Sequence, residues 1–179
     1  MPIRFRVRLF IALVISCAIA AVAQATTIIP ADFNEMIAGS QSIVHGSIVD
    51  VRSQMTGARR TIETVVTVAV IDTMKGPSAT RVLFRIPAGQ VGRYRRVMVG
   101  APEFVEGDEV VLFLSGRAPA MPMPFGLNQG VYRVSHRDGS TFVTPLVPAQ
   151  AGRVVRGDPA RRPVTVDEFA RQVRAVATR

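Results

Sequence analysis

The chain has 179 residues, a formal charge of +9 and one cysteine, Cys17. That length suits one domain able to bury roughly two thirds of its unfolded surface, and a lone cysteine excludes a disulfide framework and a thiolate zinc centre. Of 22 basic residues only Lys75 is lysine and the rest are arginine, a bias that a GC-rich genome produces more readily than selection for phosphate binding. The charge is therefore read mainly as a soluble surface, with a polyanion site for cell-wall polymer or lipid headgroups as the alternative.

Residues 1–25 have the pattern of a secretion signal: Arg4, Arg6 and Arg8, an apolar run from Leu9 to Val22, then the cleavage pattern Ala23-Gln24-Ala25. Cleavage would start the mature chain at Thr26, lower the charge from +9 by three to +6 and remove Cys17. Two alternatives stand beside it. A spanning helix needs about twenty apolar residues. A lipobox at Val14-Ile15-Ser16-Cys17 would lipidate Cys17, although residues 18–23 continue apolar. The expected location is periplasmic or secreted, with membrane attachment only through a lipidated Cys17 or an uncleaved signal.

A short helix is expected over 32–38. Asp32 and Glu35 have capping-box spacing, Phe33, Met36 and Ile37 share a face, and Gly39 offers a left-handed stop. Strands are then expected at 43–51, with a bulge or bend at Gly46, and at 61–75, 81–86, 95–99, 110–114, 131–135 and 141–145, separated by Gly, Pro and Asp punctuation. The run 61–75 has a period of two, with Ile62, Val66, Val68, Val70 and Met74 on one face and Thr61, Glu63, Thr67, Thr73 and Lys75 on the other. At about 3.4 Å per residue it would span roughly 50 Å, more than one face of a small sheet needs. A long strand that bends and serves both walls of a small tilted barrel accounts for it. The expected fold is therefore mostly β, a small closed or partly open barrel of OB type.

From 149 to 164 the chain turns rich in Gly, Arg and Pro without a period, the pattern of a linker or surface-hugging tail. Thr165 and Glu168 then restore capping-box spacing, and Val166, Phe169, Val173 and Val176 recur at helical intervals, predicting an amphipathic helix over 165–179 docked on the domain at 26–148. Lying on a membrane is that helix's alternative role.

Three stretches, "SIVHGSIVDV" at 42–51, "TVVTVAVIDTMKG" at 64–76 and "TRVLFRIPAG" at 80–89, resemble in order and spacing the start of netrin-like modules and the tissue inhibitors of metalloproteinases. In those proteins the long second strand ends in a hydrophobic residue, Lys and Gly, here Met74-Lys75-Gly76. Residues Gly100, Pro102, Phe104, Gly107, Asp108 and 110–114, with "LNQGVYRV" after them, are similar to a segment of uncharacterised exported bacterial proteins. The resemblance implies an OB-like fold and an exported binding role. The inhibitors chelate zinc through an N-terminal Cys, whereas the expected mature end here is Thr26-Thr27.

No catalytic motif is present, and the expectation is a protein that is not an enzyme and holds no cofactor or metal. His45 and His136 stand outside any paired zinc spacing. Ser47 shares a strand face with His45, but Asp50 falls on the opposite face and no nucleophile elbow exists. Glu103, Glu106, Asp108 and Glu109 surround Gly107 in the pattern of a solvated turn. Met121, Met123 and Phe125 alternate with prolines and form a stiff apolar ridge, either a loop folded back over a barrel end or the first candidate surface for an exported protein partner, a protease among them. Arg93, Tyr94, Arg95 and Arg96 form the second, a face on which anionic carbohydrate or envelope polymer could stack and be neutralised. Export leaves no nucleic acid as a partner.

Overall fold

The computed structural model describes residues 31–58, 60–116, 119–146 and 163–178. The expected leader with Ala25 and Cys17, and most of the expected linker, lie outside the described residues. In chain order the elements are α1 (Phe33–Gly39), β1 (Ser42–Thr56), β2 (Thr61–Lys75), β3 (Arg81–Ile86), β4 (Gly89–Val91), β5 (Tyr94–Arg96), β6 (Glu109–Ser115), β7 (Met123–Pro124), β8 (Val131–Arg137), β9 (Ser140–Pro145), β10 (Val164–Thr165) and α2 (Val166–Ala177). The fold is mostly β, with one short helix before the strands and one longer helix after them.

All strand pairs are antiparallel, and the main sheet runs β10-β9-β8-β6-β1-β2-β3, with β7 beside the end of β6. The ladder order is open. Its β3 edge nevertheless meets the segment before β7, because the Arg85 N–H donates to the Pro122 carbonyl at 2.9 Å. The Arg85 guanidinium adds a bond to the Met121 carbonyl and an ion pair with Glu63 at 3.0 Å.

The sheet has two apolar faces and each has its own core. One holds Val44, Ile48, Val66, Val68, Phe84, Ile86, Phe104, Val110, Leu112, Leu114 and Val131. The other holds Ile43, Met74, Val111, Phe113, Tyr132 and Val143, roofed by Met36 and Ile37 of α1 and by Phe169, Ala170 and Val173 of α2. The second core centres on aromatic rings. Phe169 lies 5.4 Å from Phe33, 6.1 Å from Phe113 and 5.0 Å from Tyr132, centroid to centroid, within the spacing favoured by edge-on and tilted rings.

Both helix starts behave as their spacing predicts. Asp32 Oδ1 accepts the Glu35 N–H at 2.7 Å, and Thr165 Oγ1 accepts that of Glu168 at 3.4 Å, each satisfying a donor the helix cannot. The first helix stops differently from expectation. Gly39 is its last residue, and the cap is Ser40, whose hydroxyl donates to the Met36 carbonyl at 2.7 Å. Glycine is required there for space, since a Cβ would stand 2.5 Å from Phe125 Cε2. The second helix docks on the sheet, with Arg174 Nη2 bonded to both Asp72 carboxylate oxygens at 2.7 and 2.6 Å.

The long strand keeps its length but not its single face. Register shifts between Ile43 and Val44, between His45 and Gly46, and between Ile48 and Asp50 interrupt the β1–β2 ladder. Val66 and Val68 consequently face one core while Met74 faces the other. The pairing of His45 with Asp72 and Gly46 with Val70 leaves Ile71 as an extra residue, 60 % exposed, so the side-chain parity reverses around it. Gly46 makes the bulge possible, as a Cβ there would lie 2.3 Å from the Ala69 carbonyl oxygen.

The strand expected over 95–99 is instead β5, Tyr94–Arg96. Its partner β4 has only three residues, and Gly89 opposite Arg96 is the last pair, so nothing remains for 97–99 to bond to. Three short strands escape periodicity: β4 opposite β5, β7 among the prolines, and β10, where Val164 at the end of the expected linker and Thr165 at the start of the expected helix pair with Val143 and Phe142.

Two substitutions test these packing relations by urea or thermal denaturation. Gly46→Ala should lose about 1–3 kcal/mol through overpacking against backbone that has no room to move, and Phe169→Ala about 3–5 kcal/mol through the cavity it leaves. An unchanged midpoint for Phe169→Ala would mean that α2 is not part of the cooperative unit.

Candidate functional site

The two histidines, far apart in sequence, meet on one carboxylate. His45 follows Ile43 on the helix-covered face of β1, Glu109 precedes Val111 and Phe113 on that face of β6, and His136 follows Tyr132 and Val134 on β8. Strand pairing then brings the three side chains together. His45 Nε2 lies 2.7 Å from Glu109 Oε1, and His136 Nε2 lies 2.8 Å from Glu109 Oε2. The carboxylate accepts from both rings, which places the proton of each imidazole on Nε2. Thr141 Oγ1, directly across from His136 in the β8–β9 ladder, is 3.1 Å from His136 Nδ1 and can donate to it when that ring is neutral.

The environment of the three is graded. His45 is buried, Glu109 half-buried and His136 largely open. Burial of the Glu109 carboxyl acts to raise its pKa. The hydrogen bonds from His45 and His136, with their charges, together outweigh that effect and hold it below the usual carboxylate value of 4.5. Beside the cluster an open cleft of about 790 Å³ lies at the margin of the contact between α2 and the sheet, lined by His45, Glu109, Asp72, Thr141, Arg171 and Arg174. Much of its charge is internally paired, Arg174 with Asp72 and Arg171 with Glu168.

The arrangement fastens β1, β6 and β8 to one another through a single carboxylate. Each carboxylate oxygen of Glu109 is engaged by a different ring, and among the described residues no three His, Cys, Asp or Glu side chains form a group that could hold a metal ion. Glu109 is also a correction to the solvated-turn reading of the acidic cluster, because it is the first residue of β6 rather than part of the turn. Asp108 does belong to the turn, accepting the Val105 N–H at 3.1 Å and the Arg133 guanidinium at 2.6 Å. Glu103 and Glu106 are exposed.

The two surfaces marked by sequence lie elsewhere. Met121, Met123 and Phe125 are each half-buried. Met123 pairs with Ser115 in β7, the Met121 carbonyl receives Arg85, and the Phe125 ring packs against the helix-side core. The ridge is thus a strap over the sheet edge. Arg93, Tyr94, Arg95 and Arg96 occupy the β4–β5 hairpin, a separate two-stranded unit. Its base is pinned to the β1–β2 ribbon: Thr64 Oγ1 donates to the Ala88 carbonyl at 2.7 Å, the Gln90 N–H donates to Ser53 Oγ at 3.3 Å, and Arg96 donates to the Ile62 carbonyl at 3.3 Å.

The hairpin's turn is free. Gly92 adopts a φ of 56°, the left-handed conformation that tight primed turns require, and a Cβ built on it would meet nothing within 4 Å. Arg93, Tyr94 and Arg95 are exposed there. The Arg93 guanidinium carbon stands 5.1 Å from the Tyr94 ring centroid while its Nη2 donates to the Tyr94 hydroxyl at 3.0 Å. An aromatic plate and a cation are thereby presented together before any ligand arrives.

No family model matches the chain, and no curated protein or solved structure matches it.

Glu109→Gln tests the two-histidine clasp. A carboxyl whose folded pKa is depressed contributes stability that is present above its unfolded pKa and lost as pH falls through the folded value. The wild type should therefore lose stability on acidification below about pH 4.5 more steeply than Glu109→Gln does. At neutral pH the variant should be less stable by about 1–3 kcal/mol, the cost of weakening charge-assisted hydrogen bonds. Denaturant midpoints followed across pH would show parallel curves if the clasp contributes nothing.

Proposed function

We propose that the chain is an exported, non-enzymatic binding module of OB-like architecture, and that its β4–β5 hairpin recognises an anionic component of the cell envelope. The observation that carries this reading is the exposed Arg93-Tyr94-Arg95 turn, with its ring and cation already stacked. Stacking on an aromatic plate and neutralisation by nearby guanidinium groups are what binding an extended polyanion requires. Arg96, the fourth residue of this surface, has the different role of an anchor, since its guanidinium is bonded to the Ile62 carbonyl. The barrel reading is supported by the Arg85–Pro122 bond, which brings the β3 edge to the strap beside β6. Export rests on the basic, apolar and Ala-x-Ala pattern of residues 1–25.

A protein partner docking on Met121, Met123 and Phe125 is the second reading, with an exported protease within its scope. Phe125 is committed to core packing, which leaves that strap less apolar surface than its sequence suggests. The hairpin offers more free surface.

Binding of the exported form to dextran sulfate, with uncharged dextran as control, tests the first reading. Arg93→Gln combined with Arg95→Gln should weaken binding by about 2 kcal/mol, or roughly thirtyfold, and reduce its dependence on salt. Met121→Ser with Met123→Ser should leave it unchanged. Binding that is insensitive to both salt and the two arginines would overturn the proposal.

A further inference from the structure

We infer that the anionic partner is a phospholipid surface, which the hairpin and the segment following it engage by setting arginines among headgroups and valines into the apolar boundary beneath them. This rests on the binding-module reading above and names its partner class. From Arg95 to Gly100 exposure alternates, with Arg95, Val97 and Val99 outward and Arg96, Met98 and Gly100 half-buried. Val97 and Val99 are 71 % and 85 % exposed and Tyr94 is 53 % exposed. Single exposed apolar residues are ordinary on a protein surface. Here two valines and an aromatic ring stand within six residues of one another, directly beside Arg93 and Arg95.

A polyanionic chain in water gives two outward valines nothing to gain. An anionic bilayer does, because the interface takes cations at headgroup depth, an amphipathic ring at the boundary and aliphatic side chains just below it. The local charge has the matching sign, with Arg93 and Arg95 both exposed on the hairpin. The polar bonds from Ser53, Thr64 and Ile62 hold the hairpin's base, so its turn can meet a surface without disturbing either core. The C-terminal helix is not a competing membrane contact, since Phe169, Ala170 and Val173 are buried against the sheet. Among the described residues no helix is long and apolar enough to cross a membrane.

The test uses the exported form, its N-terminus established by sequencing, with vesicles of equal parts phosphatidylglycerol and phosphatidylcholine and with pure phosphatidylcholine vesicles. The expected result is co-sedimentation with the anionic vesicles, lowered about tenfold or more by Val97→Ser with Val99→Ser, while binding to dextran sulfate is unchanged. Because the chain contains no tryptophan, Tyr94→Trp provides a single reporter. Its emission should shift to the blue on anionic vesicles and not on dextran sulfate.

The inference is overturned if the two valine substitutions leave vesicle binding intact, or if neutral and anionic vesicles are bound equally. It is also overturned if vesicles are ignored while dextran sulfate is still bound through Arg93 and Arg95, in which case the anion-binding module survives with another partner. Loss of both binding activities in the wild type would remove the module reading as well.

Discussion

Strand β6 must be covered on both sides, and the rest of the architecture follows from meeting that requirement. Its run Val110-Val111-Leu112-Phe113-Leu114 is fully buried, with alternate residues feeding the two cores. On one side its residues pack with apolar side chains of β1, β2 and β3. The other has no second sheet available, so α1 and α2 form its roof. Burying five consecutive large apolar side chains favours the fold by about 1.5–3 kcal/mol each, and that gain is available only when both coverings are in place. The aromatic contacts around Phe169 join the roof to the strand, linking Phe33 near the start of the described chain to a helix near its end.

The hairpin of β1 and β2 answers the same geometric demand in another way. A straight fifteen-residue ribbon would leave half its length unsupported. The bulges around Gly46 and Ile71 re-aim the side chains, so that the inner half of β2 serves one core and its last turn the other. The outer half then becomes the platform for β4 and β5, which attach to it through polar bonds rather than through an apolar core. The main sheet thus carries a small two-stranded appendage whose turn is exposed.

Much of this was legible from residue order. Cap residues at Asp32 and Thr165 marked both helix starts, a period of two marked β2, and a glycine inside a strand marked the bulge. What escaped were features made by partners distant in sequence. Two-residue strands such as β7 and β10 have no period to detect. The parity reversal in β2 depends on an extra residue opposite Gly46, which no pattern within β2 records. The meeting of His45, Glu109 and His136 required knowing that β1, β6 and β8 are neighbours. Each of the three does stand two residues from a core position on its own strand, and that weak signal becomes informative only with the strand order in hand. How far the Met121–Phe125 ridge stands out was not legible either: its three apolar side chains are each half-buried, and Arg85 and the Gly39 notch draw the segment against the body.

The placement of Phe169 has a bearing on when the protein can fold. Its ring fills the gap between Phe33, Phe113 and Tyr132, and those three residues all precede it by long stretches of chain. Until residues 166–177 have been synthesised, the helix side of the sheet has only α1 to cover it, and pairings of such high contact order form slowly. A nascent chain of this design cannot complete its helix-side core before that helix has emerged. The second helix is thus the latch of that core, placed where its ring can close on three partners only after all of them have been made.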